Sequence, residues 1–222
     1  MTTFYSTLNN YLDSVQLLWL EDGHRQFLNE PFTVEDVIQI NNGLPGDKAQ
    51  GLDGLMAAFY NESAPLLAPH LQAMYEDSLA CGILPPSLKE ALIVTILKPD
   101  KDTQCCGSYR PRSMINLDDK TLANLIASQV LPLLSSAVRP DQSGFVPGRF
   151  KAHNMLTFFQ LLHSIDLNLR ATSVLLDTTR AINSLEWPYL FHLLTRIRIV
   201  GTFLHLIKLL YTQPVVVYVL IG

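Results

Sequence analysis

The run Ala91-Leu92-Ile93-Val94-Thr95-Ile96-Leu97 is apolar, rich in β-branched residues and cut off by Lys98-Pro99-Asp100-Lys101-Asp102. A run this short with that composition reads as a strand, and the proline and charges behind it end the strand, so it delivers Lys98 to a loop. Strands need partners, and apolar residues at helical spacing lie on both sides of this one. The chain must therefore join a small sheet to helices. The expected class is α+β, helix-rich with a small mixed sheet: helices first, then a segment in which strands and helices alternate.

The helices are read from caps and periodicity. Thr33-Val34-Glu35-Asp36 has capping-box spacing and Gly43 closes the pattern, which predicts a helix over residues 33–42. Residues 46–54 read as a loop. Leu67, Leu71, Met74, Tyr75 and Leu79 recur at helical spacing before Cys81-Gly82, as a core-packing helix ended by glycine would. Leu122, Leu125, Ile126, Val130 and Leu133 mark another, which Pro132 kinks or shortens near its end. Helices are also expected over 152–165, from Trp187-Pro188 with Leu190, Leu193, Leu194 and Ile197 facing inward, and over 203–211. The stretch from Pro214 to Gly222 has a strand pattern with no partner following it.

Charge narrows the function. The 222 residues carry 16 Lys+Arg against 20 Asp+Glu, a formal charge of -4. A self-sufficient nucleic-acid binder usually has a basic surplus that displaces condensed counterions, so tight autonomous binding is disfavoured. Cys81 stands alone and Cys105 and Cys106 are adjacent, which suits neither a disulfide framework nor a paired zinc site. No signal peptide or membrane span is expected from the residue patterns, and an intracellular setting, cytoplasmic or nuclear, follows.

The stretch from Ser173 to Ser184 opens as an apolar run, places Asp177 at its end and continues in a helix-compatible polar segment. Such a carboxylate is either the cap of the next turn or a metal ligand projecting from a strand end. Residue chemistry by itself favours the cap.

Several loop segments then occur in a telling order: Lys48-Ala49-Gln50-Gly51-Leu52-Asp53-Gly54, Gly82-Ile83-Leu84-Pro85, Ile96-Leu97-Lys98-Pro99, Ser108-Tyr109-Arg110-Pro111, and Asp141-Gln142-Ser143-Gly144-Phe145-Val146-Pro147-Gly148-Arg149. This ordered set resembles the reverse transcriptases of non-LTR (LINE-type) retrotransposons, from about Pro31 to the end. The resemblance implies the fingers and incomplete palm of a right-hand RNA-directed DNA polymerase, a nucleotidyltransferase: an N-terminal extension over 1–30, a fingers-like region over 31–170 and the start of the palm over 171–222. It implies that Asp177 is the first metal-binding aspartate, holding Mg2+, and that Lys98 and Arg110 reach the incoming triphosphate. Gln142, Gly144, Phe145 and Arg149 match the segment that lies along the template. RNA template and DNA primer are the implied partners.

The chain also departs from that family. Ile182 and Asn183 stand where relatives have Phe and Asp, at the gate against the ribose 2′-hydroxyl; Gln50 replaces a proline, and Arg112 replaces an apolar residue, putting a charge where relatives bury a side chain. The paired aspartates of the second catalytic segment do not occur in these residues. The expectation is a truncated portion that is inactive alone, without stable Mg2+ binding, weak toward nucleic acid and self-associating through the C-terminal strand. A non-catalytic RNA- or protein-binding remnant, and a retroelement product with no role, stay open beside it.

Overall fold

The computed structural model describes residues 2–15, 17, 19–46, 50–164, 174, 176 and 184–218. In chain order the elements are α1 (Thr2–Ser14), α2 (Asp22–Leu28), α3 (Val34–Asn42), α4 (Ala57–Glu62), α5 (Ala64–Cys81), β1 (Glu90–Leu97), β2 (Tyr109–Ile115), α6 (Leu117–Val130), α7 (Leu134–Ala137), α8 (Lys151–Ser164), α9 (Trp187–Arg196), α10 (Thr202–Leu210) and β3 (Val215–Tyr218). One-turn 3-10 helices lie at Pro86–Leu88, Cys106–Ser108 and Leu131–Leu133. The class is α+β with one mixed three-stranded sheet among the described residues, as expected.

The chain divides into two compact units, one of Met1–Leu28 with Gln129–Val200 and one of Asn29–Ser128 with Gly201–Gly222. These units follow compactness and do not coincide with the three regions that the resemblance implies.

The second unit holds the sheet. Thr33 caps α3 as its spacing requires: Thr33 Oγ1 accepts from Asp36 N at 3.1 Å while Thr33 N donates to Asp36 Oδ2 at 2.9 Å. Helix α5 begins at Ala64 and ends where Gly82 takes a left-handed turn, φ 70°. Its face meets α3 and α4, and Leu44, Ala57, Tyr60 and Leu117 form a buried cluster with Leu67 and Leu71 packed against it. Helix α6 is buried at Leu117, Thr121, Leu122, Leu125 and Ile126, the four-residue rhythm of a core face, and it gives way to a 3-10 turn at Pro132. Helix α10 has an apolar face of Phe203, Leu204, Leu206 and Leu209. Its start is held by Asn29, whose Oδ1 accepts from Phe203 N at 3.1 Å.

The sheet order is β2-β1-β3, with β1 antiparallel to β2 and parallel to β3. Two expectations change here. Tyr109-Arg110-Pro111 is not loop but the beginning of β2: Leu97 pairs with Tyr109 and Ile96 with Arg110. Pro111 is tolerated because the bond from Lys98 N to Ser108 O, 2.8 Å, sets the bonded pairs at alternate residues and leaves Pro111 opposite Thr95 in a non-bonded pair, where a missing N–H costs nothing. The C-terminal strand does have a partner, earlier in the chain: Val215 pairs with Glu90 and Tyr218 with Ile93. Its other edge carries no strand among the described residues, and its side chains stay exposed.

In the first unit, α1 and α9 are joined by His192 Nε2 to Asn9 Oδ1 at 2.7 Å and by the Arg196–Asp13 ion pair at 2.5 Å, and Leu20 N donates to Ile197 O at 3.1 Å. Helix α9 starts on Trp187-Pro188 as read, with Leu190, Leu193, Leu194 and Ile197 half-buried. Helix α8 forms as expected, but it is exposed along its length. Most of the stretch from Ser173 to Ser184 lies outside the described residues; Val174 and Leu176, which are described, are 72% and 90% exposed and in no strand. The buried strand expected there is not found at those positions, and both edges of β1 are already filled by β2 and β3. No helix among the described residues is long and apolar enough to cross a membrane.

Candidate functional site

The hairpin of β1 and β2 places the two fingers cations. Lys98 is the first residue past β1, and besides its main-chain bond its ammonium donates to Gly107 O at 2.7 Å, which fastens the 3-10 turn Cys106–Ser108 under the hairpin. The other ammonium donors remain for an anion. Arg110 lies opposite Ile96 on β2 and is exposed, and its side chain makes no hydrogen bond or ion pair among the described residues. Because side chains alternate across a strand and cross-strand pairs share a face, Ile96, Arg110, Val94 and Arg112 stand on one side of the sheet. Lys98, two residues past Ile96 with the ladder still bonded, continues that row. Arg112 is exposed and not buried as its family position suggested, because β2 is an edge strand that turns this face to solvent.

Behind the hairpin lies a junction that the sequence did not reveal. Asn116, 4% exposed at the end of β2, accepts from Asp53 N at 3.2 Å through Oδ1 and donates to Ser87 O at 3.2 Å through Nδ2. Gly51 packs so closely on it that a Cβ there would lie 2.2 Å from Asn116 Oδ1. Asp53 Oδ1 accepts from Leu55 N at 3.1 Å and Gly54 has φ 72°, so Asp53-Gly54 makes the turn read from the sequence. Lys48 lies outside the described residues. An asparagine closing a strand and followed two residues on by Asp118-Asp119 was the one available signal, and by itself it is common.

The same junction is acidic. Burial, with the neighbouring Asp118 next in importance, pushes the Asp119 carboxyl up to about 6, while Lys120 opposes the shift. Burial also raises Asp118. Tyr75 donates to Asp118 O at 2.8 Å, and burial raises its hydroxyl; Tyr60 is pushed up to about 12 by the same cause. Both tyrosines are therefore neutral donors over the working range of pH.

In the other unit, Gln142, Gly144, Phe145 and Arg149 fall on one loop. Arg149 organises it: Nη1 donates to Arg139 O at 2.5 Å and Gln142 O at 2.7 Å, and Nη2 to Val138 O at 3.1 Å and Ser135 O at 3.2 Å. A guanidinium spent on four carbonyls is a structural clamp first. Gln142 Nε2 donates to Gly144 O at 3.1 Å. Phe145 has φ 62°, a conformation uncommon for a bulky residue, and its side chain is 95% exposed. A Cβ on Gly144 would meet nothing closer than 3.9 Å, so the fold itself does not require glycine there. The loop borders a cleft of about 590 Å³.

Asp177 and Ile182, the metal-binding and gate positions, lie outside the described residues. Among the described residues no group of three or more His, Cys, Asp or Glu could hold a metal ion. The cysteines are free and exposed.

Comparison with known proteins finds relatives among mobile elements. The chain is 26% identical over 207 residues to the "Transposon TX1 uncharacterized 149 kDa protein" of Xenopus laevis, covering 90% of this chain and 16% of that protein. It is 26% identical over 157 residues to the "Probable RNA-directed DNA polymerase from transposon BS" of Drosophila melanogaster, covering 69% of this chain and 17% of that protein. It is 28% identical over 173 residues to the "RNA-directed DNA polymerase from mobile element jockey" of Drosophila funebris, covering 73% of this chain and 18% of that protein. No family model matches the chain. The chain spans 16% to 18% of the length of these curated relatives.

Proposed function

We propose, from this relationship to RNA-directed DNA polymerases of mobile elements, that the chain is the nucleotide- and template-handling portion of such a polymerase, its fingers with the start of the palm. The observation that carries the reading is the hairpin. It brings Lys98 and Arg110, twelve positions apart in the sequence, to one side of a small sheet and leaves the Arg110 fork open to solvent. A planar guanidinium beside an ammonium suits the oxygens of a triphosphate. The exposed Phe145 and the open space over Gly144 support a strand of RNA template approaching the second loop closely, with Arg149 holding the loop's shape.

Magnesium would supply activation of the primer hydroxyl and stabilisation of the leaving pyrophosphate; Asp177 is the residue that the family pattern assigns to it. Magnesium takes several oxygens, and among the catalytic positions of that pattern these 222 residues contain Asp177 alone. The polypeptide of these residues is therefore expected to extend no primer.

The test is equilibrium binding of dTTP at low salt. Saturable binding that weakens about fivefold or more in Arg110→Gln, with Arg139→Gln unchanged, is the expected result. Binding indifferent to Arg110, or none, overturns the reading of the hairpin, and primer extension that disappears in Asp177→Ala overturns the expectation of inactivity. Arg110 is the cleaner variant because Lys98 also fastens the hairpin turn.

A further inference from the structure

Within the first unit, α1 and the start of α9 border a cleft of about 400 Å³ in which none of the residues matched to the polymerase family takes part. Leu8, Tyr11, Leu185, Glu186 and Tyr189 line it. Tyr11 stands one turn after Leu8 on α1, and Tyr189 one turn after Glu186 at the head of α9. Each helix therefore turns an aromatic residue and its one-turn neighbour to the same space. Leu8 is buried and Tyr11 is 57% exposed, so the lining is apolar at the back and open at the mouth.

Three observations give the cleft a ligand class. The Glu186 carboxylate makes no hydrogen bond or ion pair among the described residues, and although Glu186 is the N-cap of α9 its side chain does not cap the helix. No Lys, Arg or His lines the cleft, and the guanidiniums that follow on α9 and just beyond it are engaged elsewhere, Arg196 with Asp13 and Arg198 over the Trp19 ring at 5.4 Å. The hydroxyls of Tyr11 and Tyr189 make no hydrogen bond among the described residues, so neither ring is tied down by its polar end. A carboxylate without a counter-ion, beside two aromatic rings and two leucines, suits a cation that is itself partly apolar. A metal ion does not meet that description, because hard cations take several oxygens and the cleft supplies one carboxylate. A bare ammonium is a strongly hydrated point charge and costs free energy to bring against leucine. A methylated ammonium carries its charge under a shell of methyl groups and is the cation that aromatic rings recognise.

We infer that this cleft binds a methylated ammonium group, held by the Glu186 carboxylate and the Tyr11 and Tyr189 rings. The group is carried either by a free cation of the choline type or by a methylated lysine side chain of a protein, and both present the same chemistry. The site is independent of the polymerase reading, which neither requires it nor is required by it.

The experiment is a ligand titration followed by saturation-transfer NMR on the full chain, with choline and with its neutral carbon isostere, in which a tert-butyl group replaces trimethylammonium. Choline is expected to saturate and to bind about fivefold or more tighter than the isostere. Glu186→Gln and Tyr11→Leu should each weaken choline about threefold or more and leave the isostere unchanged. Tyr11→Phe keeps the ring and should bind as the unaltered chain does, and Glu62→Gln on α4 should change nothing. Both altered positions are exposed, so the fold tolerates these variants, and the comparison of choline with its isostere needs no variant at all. A short, otherwise uncharged peptide bearing one trimethyllysine separates the sources. Tighter binding than choline assigns the site to a protein side chain and weaker binding to a free cation, and the same peptide with unmodified lysine should bind more weakly than the trimethylated one. The inference is overturned by the absence of saturable choline binding, by equal affinity for choline and the isostere, or by binding that ignores both Glu186 and Tyr11.

Discussion

Gly51 shows what a single residue can be asked to do. Its turn was readable from Asp53-Gly54, but the reason for glycine at position 51 was not, because the obstacle is Asn116, far away in sequence. A Cβ at Gly51 would also come within 2.6 Å of Asn116 Cα and N, which are backbone and cannot swing aside. Gly51→Ala is expected to cost about 1–3 kcal/mol, as overpacking does, read as a lower urea midpoint with an unchanged slope. Gly46→Ala is the control: nothing lies within 4 Å of its Cβ, so it should be neutral or slightly stabilising. Asp119 gives the pH dependence. Its folded carboxyl is raised from 3.8 to about 6, so the ionised form is the one the fold disfavours. The penalty is present above the folded value and disappears as pH falls through it toward the unfolded value. Asp119→Asn should therefore raise the melting temperature near pH ~7.5 by roughly 2–4 °C, about 1 kcal/mol after discounting for a partly exposed carboxyl, with little effect near pH ~4. Equal shifts at both values would show that the gain is not electrostatic.

At the scale of elements, local chemistry and tertiary pairing divide the work. Helix α3 was legible to its end residues because its cap is made by residues three apart, and α5 and α6 because a buried face imposes its rhythm on the chain. Strand β2 was missed because Tyr109-Arg110-Pro111-Arg112 has neither alternation nor β-branched side chains; it is a strand because β1 supplies its hydrogen bonds. Strand β3 was read as a strand, but its partner was not, since the pairing joins Val215 to Glu90 across most of the chain. This pairing alters how the C-terminal end should be handled. Deleting residues 214–222 would strip β1 of its parallel neighbour, so the informative variant is Val217→Lys, which keeps the ladder and charges an edge whose Val215, Val216 and Val217 are 40–48% exposed. Light scattering at matched concentration should show less self-association for Val217→Lys than for the unaltered chain. Two equally monodisperse samples would mean that the free edge is already protected.

For the whole molecule, the order of the motifs, Gly51 to Gly54, Lys98, Arg110 and the loop from Gln142 to Arg149, carried the resemblance without any need for contacts, and the relatives found are proteins of mobile elements. The α+β class was equally accessible, since strand composition and helical spacing are properties of neighbouring residues. What each motif residue does in the fold was not. Arg149 reads as a phosphate ligand until four carbonyls, those of Ser135, Val138, Arg139 and Gln142, are seen to hold it, and Arg112 reads as a misplaced charge until the strand register sets it on an open face beside Arg110. The division of the chain into two units, each built from distant segments, lay equally beyond local reading. The physical reason is the same in each case. Capping, periodicity and turn formation are decided within a few bonds of the residue concerned, whereas the partner of a hydrogen-bond donor, the exposure of a charge and the room for a Cβ depend on which distant segment arrives beside it, and only the folded chain brings that segment there.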